Sequence, residues 1–146
     1  MAENFYTPFL DALMNGEFNF GTADVSAIIV STTSGGTLAA DFPFNAAHEF
    51  ISSCNTLAIV AGPVALTGVV QANGTVSADS IITFPTVAAT APQTGQAVVY
   101  FENTGTAATS RLIGHNTDYT NLPVAPNGED ITIALSSHLM RVTYTP

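Results

Sequence analysis

Lysine is missing from this chain of 146 residues, and its only cationic side chains are Arg111 and Arg141. Nucleic-acid binding draws affinity from clustered basic groups on phosphates, a footprint that two separated arginines cannot supply. The same shortage argues against docking on anionic membrane surfaces. Eleven acids leave a formal net charge of −9. Neither nucleic acid nor membrane is expected among the partners.

Other absences narrow the field further. Cys54 is the single cysteine, so there is no intrachain disulfide and the fold must stand on packing. Within Phe50-Ile51-Ser52-Ser53-Cys54 it reads as a small buried hydrophobe rather than a nucleophile. Tryptophan is absent and the four tyrosines are scattered, which disfavours an aromatic platform for sugars. The opening MAENFYTPFLDALMNG lacks the basic start and long apolar centre of a secretory signal. No run approaches the roughly 18 apolar residues of a membrane span. A soluble product of a cytoplasm is expected.

Charged residues make up only 9% of the chain, against about 25% in ordinary globular domains. Ala, Thr, Gly, Ser and Val take their place. A surface of small neutral residues is poorly defended against association. It suits a protein largely covered by other subunits; a secreted β domain with a Thr/Ser-rich exterior is the alternative.

Convergent titratable groups are scarce. His48, His115 and His138 lie far apart in sequence. His115 with Asp118, and His48 with Glu49, match no zinc or two-metal spacing, and they read as exposed loop residues. There is no Gly-x-Ser-x-Gly elbow, phosphate-cradling loop or dinucleotide fingerprint. Glu129 and Asp130 are adjacent and would face opposite ways on a strand. The chain is expected to be non-enzymatic, with no catalytic residues, cofactor or metal.

What is present is a series of short strand signals within a single domain, 1–146. Residues 96–115, QAVVYFENTGTAATSRLIGH, form two strand-like runs around a small polar loop, a β-hairpin. Residues 24–31 read as a strand covered on both faces, broken by Ser34-Gly35-Gly36. Residues 37–55 are the least strand-like, with Asn45 as cap for one helical turn through Phe50. Strands follow at 57–61, ended by Gly62-Pro63, and at 64–70. Asn73-Gly74 is the strongest hairpin signal, with its partner strand starting at Thr75-Val76. Residues 81–84 form a strand stopped by Pro85, residues 86–95 a linker, and residues 116–128 a long loop. Residues 130–135 and 140–144 alternate cleanly around Ser136-Ser137-His138 and read as a terminal hairpin.

Near the start, Thr7 is a candidate cap, Pro8 suits the first helical turn, and Asn15-Gly16 supplies a left-handed stop. Phe9, Leu10, Leu13 and Met14 form one apolar stripe on this short helix, which must dock to be stable. It packs either on the chain's own core or, as an arm over 1–16, on a neighbour. The sum is a mainly β fold: an antiparallel β-sandwich or jelly-roll-like barrel with a short N-terminal helix and one internal helical turn. Arginine is favoured over lysine for interface ion pairs, so Arg111 and Arg141 pair either between subunits or within one. Phe5, Tyr6, Phe9, Leu10, Arg111 and Arg141 are the candidate interface residues, with the loops over 104–109 and 116–121.

Three segments carry a family resemblance: LDALMNGEFNFGTADVSAIIV, AVVYFENTGTAATSRLIGH and LPVAPNGEDITIAL. Together they resemble a group of small structural proteins of tailed bacteriophages, most like capsid decoration (cement) proteins. The resemblance runs through 11–30, 97–113 and 122–135 in the same order. It implies a trimer on the outside of the virion shell, bound to the major capsid protein after synthesis in the host bacterial cytoplasm. A head-fibre or tail module that binds a host receptor or glycan is the alternative it implies.

Overall fold

The structure, a computed structural model, describes residues 3–32, 42–72, 74–79, 81–88, 94–135 and 140–141. Asn73, the break at Ser34-Gly35-Gly36, the turn at Ser136-Ser137-His138 and the side chain of Arg141 lie outside the described residues.

Three apolar, β-branched runs make the centre of the fold. They are β2 (Val25–Val30), β7 (Ala97–Glu102) and β8 (Leu112–Asn116). With β1 (Glu3–Phe5) and β3 (Ile59–Ala65) at the edges, they form an antiparallel sheet in the order β1-β8-β7-β2-β3. Every residue of β2 and β8 is buried, and so is every residue of β7 except Glu102. Continuous burial explains why these runs do not alternate in sequence: both faces of the sheet are covered. β7 and β8 pair as the expected hairpin.

The first cover is α1 (Thr7–Met14). Tyr6, not Thr7, is its cap residue and contributes no side-chain bond, because Thr7 is already helical. Pro8 lies in the first turn, where a missing N–H costs nothing. Gly16, at φ 74°, ends the helix in the left-handed region as expected. The helix docks on its own chain. Phe9 meets Phe18 and Phe20 edge-on at centroid distances of 5.1 and 5.8 Å. Tyr6 and Phe9 are fully buried, each worth ~1.5–3 kcal/mol of apolar burial. This corrects the arm reading for those two residues, since they serve the core and present no surface to a neighbour.

The second cover is the segment 42–58. The helical turn expected through Phe50 lies further on, as two 3-10 turns at Ile51–Ser53 and Thr56–Ala58. Asn45 makes only a local turn, its Oδ1 accepting from the Ala47 amide at 3.0 Å. The reason is competition for backbone partners. Leu112 donates to the Glu49 carbonyl at 2.9 Å and Ile51 to that of Ser110 at 2.8 Å. These bonds hold the chain extended along the edge of β8, just beyond the residues that β1 pairs with.

β3 runs through Gly62-Pro63 rather than ending there; that peptide is cis. The strand lies at the sheet edge, where a proline needs no inward N–H. Gly62 has φ 98°, and a Cβ there would stand 2.8 Å from the Ala27 carbonyl oxygen.

The remaining strands form two small sheets. β4 (Val70–Ala72) and β5 (Thr75–Ser77) pair around Gly74 as the Asn-Gly signal predicts, with β10 (Met140–Arg141) on the far side of β5. β6 (Ile81–Phe84) pairs with β9 (Ile131–Ala134). The expected terminal hairpin is therefore not formed among the described residues: its two strands belong to different sheets. Alternation decides which face of β9 is buried, not its partner. Register puts Ile133 opposite Ile82 and Ile131 opposite Phe84, and all four are buried. That apolar ladder outweighs a short connection. The result is the mainly β, antiparallel fold that the strand pattern predicts.

Candidate functional site

The β7–β8 loop stands out from the body as a pre-ordered polar knob. Gly105, at φ 84°, turns the chain, and its amide donates to Asn103 Oδ1 at 3.0 Å. Ser110 is buried beneath the loop; its Oγ donates to the Thr106 carbonyl at 2.9 Å and accepts from the Thr104 amide at 3.1 Å. The hydroxyls of Thr104 and Thr109 meet at 2.6 Å. Residues 104–109 are all exposed, yet their polar groups are tied to one another. Small hydroxyl residues favour such local backbone bonds, which lowers the ordering cost of binding.

Beside the knob runs an open groove of about 560 Å³, lined by Ala23, Asp24, Leu66, Val69, Asn103 and Thr104 among others. Asn103 joins its walls: its amide donates to the Asp24 carbonyl at 2.7 Å, and its Nδ2 to Ser26 Oγ at 3.3 Å. Knob and groove together form one rim where β2 begins and β7 ends.

Arg111, at the base of the knob, is used within the chain. Its guanidinium lies 3.8 Å from Glu49, 5.7 Å from the centroid of the Phe50 ring and 3.5 Å from the Pro8 carbonyl. One side chain thus clasps α1 and the 42–58 segment to β8, and the intrachain alternative for Arg111 is the one observed. Phe5 and Leu10 are half-buried, Phe5 against the backbone of Gly114. Arg141 sits in β10 opposite Thr75, away from the other candidates in the strand order. The 116–121 loop folds back on the body. Asn116 Oδ1 accepts from the Asp118 amide at 2.8 Å, and the buried hydroxyls of Tyr100 and Tyr119 bond to each other.

One group of residues contradicts the exposed-loop reading. His115 is buried on β8, 3% exposed, and burial lowers its pKa to about 4. The Phe44 ring lies 5.5 Å from the His115 ring and 5.0 Å from that of Tyr6, and Phe42 stacks on half-buried His48 at 5.6 Å. Tyr6 Oη, His48 Nδ1 and both ring nitrogens of His115 are buried with no hydrogen-bond partner among the described residues. Phe42's backbone is near enough to favour the charged His115 slightly, without hydrogen-bond geometry. The signal in the sequence was the apolar run Leu112-Ile113-Gly114 that leads straight into His115; the pairing with β1, which carries the strand on to Asn116, appears only in the fold. Cys54 is buried as expected, and burial pushes its thiol up to about 11. No trio of His, Cys, Asp or Glu stands at metal-binding distance among the described residues. No helix among them is long and apolar enough to cross a membrane.

The chain matches no protein-family model and no curated protein. The rim and the surface charge therefore carry the functional argument.

Proposed function

We propose that this protein is a non-enzymatic virion structural protein: a capsid decoration, or cement, protein that binds the outside of a major-capsid-protein shell and stabilises it. The observation that carries this reading is the rigid threonine knob on an otherwise small-residue, weakly charged surface. Such a knob recognises a fixed protein surface through shape and many modest hydrogen bonds, without an induced fit. Self-association as a trimer would bury the uncharged surface that the composition leaves undefended. The net charge of −9 keeps the exterior from sticking to nucleic acid and directs it to a partner with basic groups.

The test is the protein content of purified virions. A cement protein is present at on the order of hundreds of copies, in proportion to the repeated shell lattice. Occurrence only in lysate, never in particles, overturns the reading. Light scattering on the purified chain tests the trimer, and a stable monomer at high concentration overturns a preformed one.

The groove at Asp24 and Asn103 favours a second reading: a head-fibre or tail module that binds a host receptor or glycan. Loops on a rigid β scaffold commonly carry such binding. About a dozen copies per particle or fewer, as expected for a fibre or tail position, would select it over cement.

A further inference from the structure

We propose that the layer of Tyr6, Phe44 and His115, where the 42–58 segment meets β8, is an acid-sensitive latch, in which proton uptake by His115 lifts that segment off β8. The geometry is that of a lid on aromatic hinges. Phe44 of the segment lies 5.5 Å from the His115 ring and 5.0 Å from that of Tyr6, while within the segment Phe42 stacks on His48 at 5.6 Å. The unpartnered polar atoms of Tyr6, His48 and His115 all lie around the rings of Phe42 and Phe44. A neutral imidazole tolerates that setting. An imidazolium would present two buried N–H donors and a charge favoured only by the Phe42 backbone, against the larger cost of burial.

The groups around His115 offer it no anion. Tyr6, the cap residue of α1, has its pKa raised by burial, and the segment carries His48 and, near Tyr6, Cys54, whose thiol burial also raises. The flanking strands place Asn4 and Val99 opposite His115 in register. The influences on the His115 ring are burial and the Phe42 backbone. Glu49, next to His48 in the chain, is exposed and engaged with Arg111, and Glu3 stands opposite Asn116 with its side chain outside the described residues.

The segment is held by separable contacts. Its ties include the Leu112–Glu49, Ile51–Ser110 and Ser52–Ala107 backbone bonds, at 2.9, 2.8 and 3.2 Å, and the half-exposed Glu49–Arg111 pair. Opening would uncover the 110–112 edge of β8 and release the knob at Ala107. The inference rests on this layer alone and is independent of the virion reading.

Hydrogen exchange of the full chain, followed by NMR from pH 7 to pH 4, tests it. The protection factors of Ile51, Ser52 and Leu112 should fall about 100-fold relative to those of Ile28 and Val99, as linkage to a pKa near 4 requires. In His115→Phe they should stay level. Equal loss of protection across β2 and β7, or an unchanged loss in His115→Phe, overturns the latch. Should His115→Phe not fold, the ring titration of His115 in the unmodified protein decides, and a pKa at or above its ordinary 6.5 overturns it.

Discussion

The five-stranded sheet and the two small sheets are built on opposite terms. In the large sheet, three successive neighbours, β8, β7 and β2, are buried nearly end to end, with α1 and the 42–58 segment as covers. In the small sheets, β6 and β9 alternate buried and exposed residues, and all three residues of β4 are exposed. Val70 and Ile81 there remain 55% and 59% exposed. Two- and three-stranded ribbons of this length are marginal by themselves. The large sheet therefore holds most of the stability, and the small sheets lean on it or on a neighbour. Residues of one chemical type should differ widely in worth between the two regions.

The largest contrast lies in apolar truncation. Phe9→Ala should cost about 3–5 kcal/mol, because it empties the junction of Phe18 and Phe20. Ile81→Ala, in the small sheet, should cost under about 0.5 kcal/mol. Denaturant unfolding of both variants checks the pair, and equal losses would erase the contrast.

Acid is the next lever. His115 has its pKa lowered to about 4 from 6.5 in the folded chain, so it is neutral there and binds its proton more readily when unfolded. Stability is complete above the unfolded value and declines as pH falls from 6.5 to about 4. The loss should reach about 3 kcal/mol, absent in His115→Phe. Unfolding midpoints measured across that range give the slope.

Gly62→Ala should cost about 2 kcal/mol, from a positive φ and a Cβ driven onto the Ala27 carbonyl. Gly105→Ala removes the same backbone freedom at the knob but meets nothing within 4 Å, so it should cost only about 1 kcal/mol. The two thermal melts side by side separate backbone strain from collision. The smallest effect is expected at Glu49→Gln, about 0.5 kcal/mol, since this pair is partly solvated and easily screened. Its dependence on salt identifies it.

Much of the large sheet was legible because its residues carry local instructions. Val25–Val30 and Ala97–Glu102 are β-branched or aromatic runs too apolar to face water, and Gly74 sits where a tight hairpin needs a positive φ. α1 was legible for the same reason, through Pro8 and Gly16. The candidate site was half legible. The polar loop at 104–109 stood out, but the bonds that tie it to Ser110 were invisible. His115 was misread because its burial comes from Phe44 and β1, both remote in the chain.

Local chemistry was enough to specify most strand-forming runs, the helix, the turns at Gly16, Gly74 and Gly105, and an acidic composition almost without cations. These follow from side-chain shape, backbone freedom and charge, which are properties of each residue and its near neighbours. Partners emerged from packing across the whole chain: β9 with β6 instead of β10, the 42–58 segment along β8, and Arg111 as a clasp inside the chain. The physical reason is that burial and hydrogen bonding are settled between surfaces. A strand shows which of its faces is apolar, and the surface that covers that face is chosen by the whole chain.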